Sequence, residues 1–492
     1  VITYPVEILA LNAPQIPCIL IDKMAVTKSV KLTEVYALLD DLCGFLNCHR
    51  RLSSCHLVEY FTKDVINHVL PPEIYEEVTN LTEDQYKKVF IGNILKDDGM
   101  NVSNDIGPNL QNLLQSATDL MRRFRSLFTD TKCFGTFKTA AVSEFYSEKK
   151  LHEVVTMSEL IFALSEKYET KNVVDIGSGK GYLGVHLCYF HGFEVIGIDC
   201  NEIATNGAEK RSAIFKKFQD SLSKKFRSQF SCAQGEKYRS RGSGLFLPVT
   251  KTMNEDLAWC DVLEEFSTPA PRFGVTGLHT CGNLCYDLVN SFLKSPQAKY
   301  VCYVGCCYHL IDEDTQATRG RTTNRFPSSD FLRNKSFQLD RNARMLACQP
   351  VFRLANKPEN FNRTLFYRAV LQVLLRDKVG HNLSSLSVGR KVGRGALDFY
   401  QYVSNSLVKM NISLDVTEEE CLEYLSNYEY RTSELQKFFI LRSNMAPIIE
   451  AIITLDKLAF LLEQDCIVEA HIVELFDPVT SPRCHCVLGI RN

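Results

Sequence analysis

One short segment constrains this chain more than any other. Asp175-Ile-Gly177-Ser178-Gly179-Lys-Gly181 begins inside the β-branched run Asn172-Val-Val-Asp-Ile176 and leads into a helical pattern over Tyr182 to Phe190. A second apolar run, Glu194-Val-Ile-Gly-Ile198, ends in Asp199. Strand, glycine turn, helix and strand make one βαβ unit, with parallel strands and a right-handed crossover. Glycine is required where the backbone turns sharply and a ligand lies against the main chain. The helix start beyond it offers free N–H groups to polar ligand atoms.

Further short apolar runs continue the pattern: Leu245 to Thr250, weakened by Pro248, then Phe273 to Leu278 and Tyr300 to Val304. Strands alternating with helical patterns predict an α/β fold with a doubly wound parallel sheet. At the C-terminus, Ile472 to Phe476 and Cys484 to Ile490 flank the turn Asp477 to Pro482. So short a connection makes that pair antiparallel. A parallel sheet with an antiparallel last strand is the layout of class I methyltransferases, a Rossmann-like architecture. Upstream, Val35, Leu38, Leu39 and Leu42 recur at helical spacing, and Pro72 opens a new helix. The expected organisation is a mainly helical N-terminal domain over 1–135, a core over 136–310, a mostly helical insertion over 311–455, and a helix end with a strand hairpin over 456–492 that completes the sheet.

Composition narrows the functional classes. With 45% hydrophobic and 23% charged residues, the 492-residue chain is globular and neither fibrous nor wholly disordered. A net charge of −2 excludes a globally basic nucleic-acid binder but leaves room for a local patch. No uncharged apolar run reaches transmembrane length, so no membrane span is expected. Nineteen cysteines scattered without a compact framework read as reduced thiols. That points to an intracellular setting, cytoplasmic or nuclear, with a targeting segment ahead of Val1 left open.

The loop itself selects among ligands. A dinucleotide fingerprint requires glycine at 182, where Tyr182 stands. An acidic residue ahead of the loop suits S-adenosyl-L-methionine (SAM), whose ammonium group needs a carboxylate partner. Asp199 is placed to accept hydrogen bonds from ribose hydroxyls. Downstream, Gly277-Leu-His279-Thr-Cys281-Gly and Gly305-Cys306-Cys307-Tyr-His309 close two predicted strands. Ligands bind outside the carboxyl ends of strands in such sheets, so both segments should face the transferred methyl group. His279 and His309 can each serve as a base where the acceptor must lose a proton; a structural histidine bonding a loop carbonyl is the alternative for each. These residues could also make a zinc site. The usual C-x2-C pair is absent, however, and adjacent Cys306 and Cys307 rarely share an ion, so no metal is expected. An Asn/Asp-Pro-Pro-aromatic tetrad is missing after the fourth strand, which counts against adenine-N6 chemistry.

From Glu209 to Arg241 ten Lys or Arg face three acids, with Phe215, Phe218 and Leu222 at helical spacing. This segment, 209–241, is the candidate RNA-binding surface; a solvated helix face is the alternative. Arg319, Arg321 and Arg325 form a weaker cluster.

These segments together resemble the methyltransferase-like protein 25 family, which includes the ribosomal RNA adenine dimethylase domain-containing protein. The resemblance runs from about Ser147 to the end. It rests on Ser147 to Val154, Val174 to Leu183, Gly277 to Gly282, Val304 to His309, Leu346-Ala-Cys-Gln349 and Leu475 to Arg483. The family usually has Pro at Glu148 and Asp at Asn283. The His-x-Cys-Gly and Cys-Cys segments are also similar to those of a tRNA 2′-O-methyltransferase family. The resemblance implies a SAM-dependent methyltransferase with Asp175, Gly177, Ser178, Gly179, Gly181, Asp199 and His152 at the cofactor. Lys149 and Glu153 lie in the same stretch as His152. His279, Cys281, Cys307 and His309 are expected at the methyl acceptor. RNA is the favoured acceptor. A protein side chain, a silent SAM-fold interaction protein and an NAD-dependent oxidoreductase are the alternatives.

Overall fold

The computed structural model describes residues 18–83, 85–86, 105–135, 146–229, 244–253, 262–267, 271–313, 325–356, 363–380, 392 and 398–492, without the side chains of 18–27, 218–229, 355 and 356. Seven strands form one sheet: β1 (Asn172–Ile176), β2 (Glu194–Asp199), β3 (Leu245–Thr250), β4 (Phe273–Cys281), β5 (Ala298–Cys306), β6 (Ile467–Glu474) and β7 (His485–Arg491). Their order is β3-β2-β1-β4-β5-β7-β6. β1 to β5 pair in parallel, and β7 runs antiparallel between β5 and β6. β3 lies at the edge, which is why Pro248 is tolerated in it: a missing N–H costs nothing on the side without a partner strand.

The strand residues alternate between two cores, as a period of two requires. Val174, Ile176, Ile196 and Val301 face one core; Val173, Val195, Tyr300 and Cys302 face the other. The second is covered by the helix Glu148–Lys167, whose N-terminus is capped by Ser147, and by the helical turn from Tyr182 to His191. The first is shared with the N-terminal helices and those of the insertion. Val35, Leu38, Leu39 and Leu42 of the helix Cys18–Cys48 are buried there, as their spacing predicts, together with Leu114 and Phe124 of the helix Pro108–Ser126 and Phe366 and Leu374 of Arg363–Val379. The helices of 18–126 thus share one core with a face of the sheet.

The helix Met445–Glu463 lies between that core and the strands and is buried all round. Its polar groups are therefore paired inside the protein. Asp456, fully buried, accepts four hydrogen bonds, from the N–H and hydroxyl groups of Ser328 and Ser329, at 2.6 to 2.9 Å. The Lys457 ammonium sits over the rings of Tyr286, Tyr303 and Tyr308 at 5.4 to 6.0 Å. Among the described residues, no helix is long and apolar enough to cross a membrane.

Asp456→Ala would leave two hydroxyls and two backbone N–H groups without their buried acceptor. The expected loss is about 3 kcal/mol of stability, read from chemical denaturation. A change within about 0.5 kcal/mol, typical of a surface substitution, would show that this carboxylate does not hold the insertion to the core.

Candidate active site

β1 delivers the chain into the glycine turn. Gly177, Gly179 and Gly181 all adopt left-handed backbone, with φ of 70°, 56° and 68°. The turn is pinned to β2: the Gly177 and Ser178 N–H groups donate to the Ile198 carbonyl at 2.8 and 3.1 Å. The Gly179 N–H donates to Asp199 Oδ2 at 2.9 Å, and Asp199 Oδ1 accepts from the Asn201 N–H at 2.9 Å. A side chain at Gly181 would collide with Phe246 and Ala208, whereas one at Gly179 would enter open space. Gly179 therefore presents bare backbone on the open side of the turn. The Ser178 hydroxyl points elsewhere. It sits against Gly197 of β2 and, though buried, has no hydrogen-bond partner among the described residues.

Asp175 is buried directly below the turn. Burial, with the nearby Asp199 carboxylate, pushes its pKa up to about 8. Two carboxylates at adjoining strand ends favour a cation between them, which suits the ammonium and sulfonium groups of SAM.

The strand ends extend further than the apolar runs suggest: β4 continues through Cys281 and β5 through Cys306. The pairing slips between Gly277 and Thr280, so His279 stands in an irregular stretch that re-aims it. Its Nε2 meets Glu153 Oε2 at 3.2 Å. Glu153 is wholly buried, and Lys149 and Lys150 reach it at 3.1 Å each. The Ser481 hydroxyl donates to it at 2.7 Å from the β6–β7 connection. Burial works to raise its pKa, but the hydrogen bond and charge of His279, the Ser481 hydroxyl and Lys150 outweigh that and hold it well below the usual carboxylate range. An ionised Glu153 accepts only. His279 Nε2 must then donate, which leaves Nδ1 either as an acceptor or as a second donor.

The remaining expected residues divide. Cys281 pairs in register with Cys306, their sulfurs 2.9 Å apart, and Cys307 lies beside them. His309 instead meets the Cys348 sulfur at 3.5 Å. His152 accepts from the Asp477 N–H at 3.0 Å and packs against Phe476. Asn283 and Asp312 bond reciprocally, Nδ2 to Oδ2 at 2.6 Å and the Asp312 N–H to Oδ1 at 2.8 Å. The amide at 283 thus donates to a neighbouring acid, a role an aspartate there could not fill when ionised.

Three participants are legible only in space. Ser481, Arg483 and Glu450 carry no chemical signature in sequence. Arg483 donates to the carbonyls of Ala347 (2.6 Å) and Gln349 (3.0 Å) and to Glu450 Oε1 (3.1 Å). The Tyr308 hydroxyl also donates to Glu450, at 2.8 Å. These bonds gather the segments around 153, 279, 306, 348 and 481 at the carboxyl ends of the central strands β4 and β5, beside the glycine turn. Of the basic segment 209–241, residues 230–241 and the side chains of 218–229 lie outside the described residues, as do Arg319 and Arg321. Within the rest, Lys210, Lys216 and Lys217 are exposed. Arg211 is committed to the turn: it stacks 3.6 Å above the Tyr182 ring and donates to the Lys180 carbonyl at 3.1 Å.

This sheet order, with a glycine turn after β1 and an acid closing β2, defines a methyltransferase domain of the class that takes SAM as methyl donor. Residues 149–314 match a methyltransferase-domain family model. Over 71% of its length the chain is 29% identical to a Mus musculus protein described as "Probable methyltransferase-like protein 25", covering 76% of that protein. The Homo sapiens protein of the same description is 28% identical over 71% of the chain and 75% of its own length. Over most of its length the chain is thus similar to methyltransferase-like protein 25.

Two outcomes follow from the geometry. Gly179→Ala should cost about 1–2 kcal/mol of stability, the backbone strain alone, while weakening SAM binding at least tenfold. Gly181→Ala should lower the melting temperature more, because strain and collision add; equal melting temperatures would contradict the loop geometry. Glu153→Gln should cost about 2 kcal/mol at pH 7, less than a fully buried pair because Lys149 and Lys150 are 46% and 26% exposed. A depressed pKa contributes stability above the unfolded value near 4.3, and that contribution is lost as pH falls through the folded value. The gap between the two proteins should therefore narrow below about pH 4; a gap constant with pH would assign Glu153 no role as an ion.

Proposed function

We propose that this methyltransferase acts on RNA and that His279 takes the proton released by the acceptor. The observation that carries the reading is the Glu153–His279 pair at the carboxyl end of β4. A buried ionised carboxylate orients the imidazole through Nε2 and leaves Nδ1 to receive a proton, the arrangement by which a carboxylate fixes a histidine base. SAM, when bound, supplies an activated methyl group. Asp175 would face its ammonium group, the bare backbone at Gly179 would receive its methionine end, and Asp199 would accept hydrogen bonds from the ribose. Each Asp199 oxygen already accepts one N–H and retains capacity for another. His309 and Cys348 bound the acceptor side, and Cys281 and Cys307 line it.

RNA is favoured by the exposed Lys210, Lys216 and Lys217 on the helix Glu202–Gln229, which follows directly from Asp199. Cations there can track phosphates next to the cofactor end of the site. The likeness of the His-x-Cys-Gly and Cys-Cys segments to a tRNA 2′-O-methyltransferase family points the same way.

Calorimetric titration of SAM addresses the cofactor groups. Binding an ammonium beside Asp175 expels its proton, so affinity should rise up to about tenfold per pH unit between pH 6 and 8 and stop rising above about pH 8. Asp199→Ala should abolish micromolar binding. A flat pH profile would remove Asp175 from the cofactor site, and undiminished binding by Asp199→Ala would remove Asp199. Labelled SAM incubated with separated RNA and protein fractions then tests the acceptor. Label in RNA, lost with His279→Ala, is the expected result; label confined to protein would overturn the RNA assignment.

A further inference from the structure

The thiols of Cys281, Cys306 and Cys307 form a cluster that the methyl-transfer reading does not use as a unit. Their sulfurs all lie within 4.8 Å of one another, and those of Cys281 and Cys306 are 2.9 Å apart. Three thiolates held about 2.3 Å from one tetrahedral ion would sit about 3.8 Å from each other, wider than the Cys281–Cys306 separation and inside the 4.8 Å that contains all three sulfurs. Cys306 is buried, Cys307 half-buried and Cys281 exposed, so the cluster is anchored in the protein and open on one side.

Adjacent cysteines rarely bind the same ion because successive side chains of a strand point to opposite faces. Here the backbone removes that obstacle. Cys307 adopts φ of 51°, the left-handed region that a residue with a Cβ seldom enters. This turn at the end of β5 brings the Cys307 sulfur to the side already occupied by Cys306. Its cost, about 1 kcal/mol or more, persists where the surroundings use the result. A disulfide between Cys281 and Cys306, which face each other in register, would need no such turn at Cys307.

We propose that Cys281, Cys306 and Cys307 bind a zinc-like thiophilic divalent cation as a three-thiolate site, with a fourth position open beside the methyl-acceptor end of the sheet. Binding displaces the protons of all three thiols to solvent; the three thiolates and the dication together carry one net negative charge. The open position takes water or a soft donor. This assignment does not depend on which acceptor is methylated.

The test is titration of the reduced, chelator-treated full chain with Co2+, followed by displacement with Zn2+. The expected result is one Co2+ per chain, a thiolate-to-cobalt charge-transfer absorption, and its loss on adding Zn2+. Cys281→Ser and Cys306→Ser should each weaken Co2+ binding on the order of 10- to 100-fold or more. Cys133→Ser, which alters an exposed thiol away from the cluster, should leave binding unchanged. Circular dichroism separates lost sites from lost folding. If a serine variant does not fold, the parent chain and the half-buried Cys307→Ala variant decide by the same absorption. Absence of micromolar Co2+ binding to the reduced parent chain would overturn the proposal. So would a thiolate band that survives in Cys281→Ser/Cys306→Ser, or a Cys281–Cys306 disulfide whose reduced form takes up no metal.

Discussion

A single buried carboxylate ties the working edge of this protein together. Glu153 accepts from the helix before β1, through Lys149 and Lys150, from the end of β4 through His279, and from the β6–β7 connection through Ser481. An isolated carboxylate could not remain ionised in that position. It does so because donors arrive from several elements at once. The same dependence runs the other way: Lys149 and Lys150 reach Glu153 within their own helix, but His279 and Ser481 come from distant parts of the chain and meet its charge only once the sheet has formed. The chemistry proposed for His279 is therefore a property of the assembled sheet and not of the His-x-Cys segment alone.

The same logic recurs on the helix Met445–Glu463. Its buried Glu450 is held by Tyr308 and Arg483, and its Asp456 by Ser328 and Ser329. Such polar anchors add little net stability compared with apolar packing, but removing one partner leaves an uncompensated group inside the protein. They fix where the insertion lies on the sheet. Arg483 extends the network by gripping the carbonyls of Ala347 and Gln349, which sets Cys348 beside His309.

Much of the fold was legible in sequence because it depends on local periodicity and on glycine. The β1 and β2 runs, the left-handed turn at Gly177, Gly179 and Gly181, the N-terminal apolar stripe and the antiparallel β6–β7 pair all follow from short-range pattern. The candidate site was legible in part. Asp175 and Asp199 stand at adjoining strand ends, and Cys281 and Cys307 come together. His152 and His309, equally plausible by residue type, are engaged with Asp477 and Cys348. Side-chain direction at a strand end depends on bulges and turns, such as the slip near His279 and the left-handed Cys307, which residue spacing does not encode.

The sequence by itself determined the glycine turn and its acidic neighbours, because only glycine reaches that backbone without strain and only a short apolar strand can feed it. It also determined the alternation that makes the sheet two-faced. Tertiary structure alone decided which polar groups meet. Glu153, His279 and Ser481 are drawn together across 328 positions of sequence, and Cys281 finds Cys306 through strand register. Long-range pairing of this kind is set by how faces pack and how registers align. Those are properties of the whole folded chain, and no window of neighbouring residues contains them.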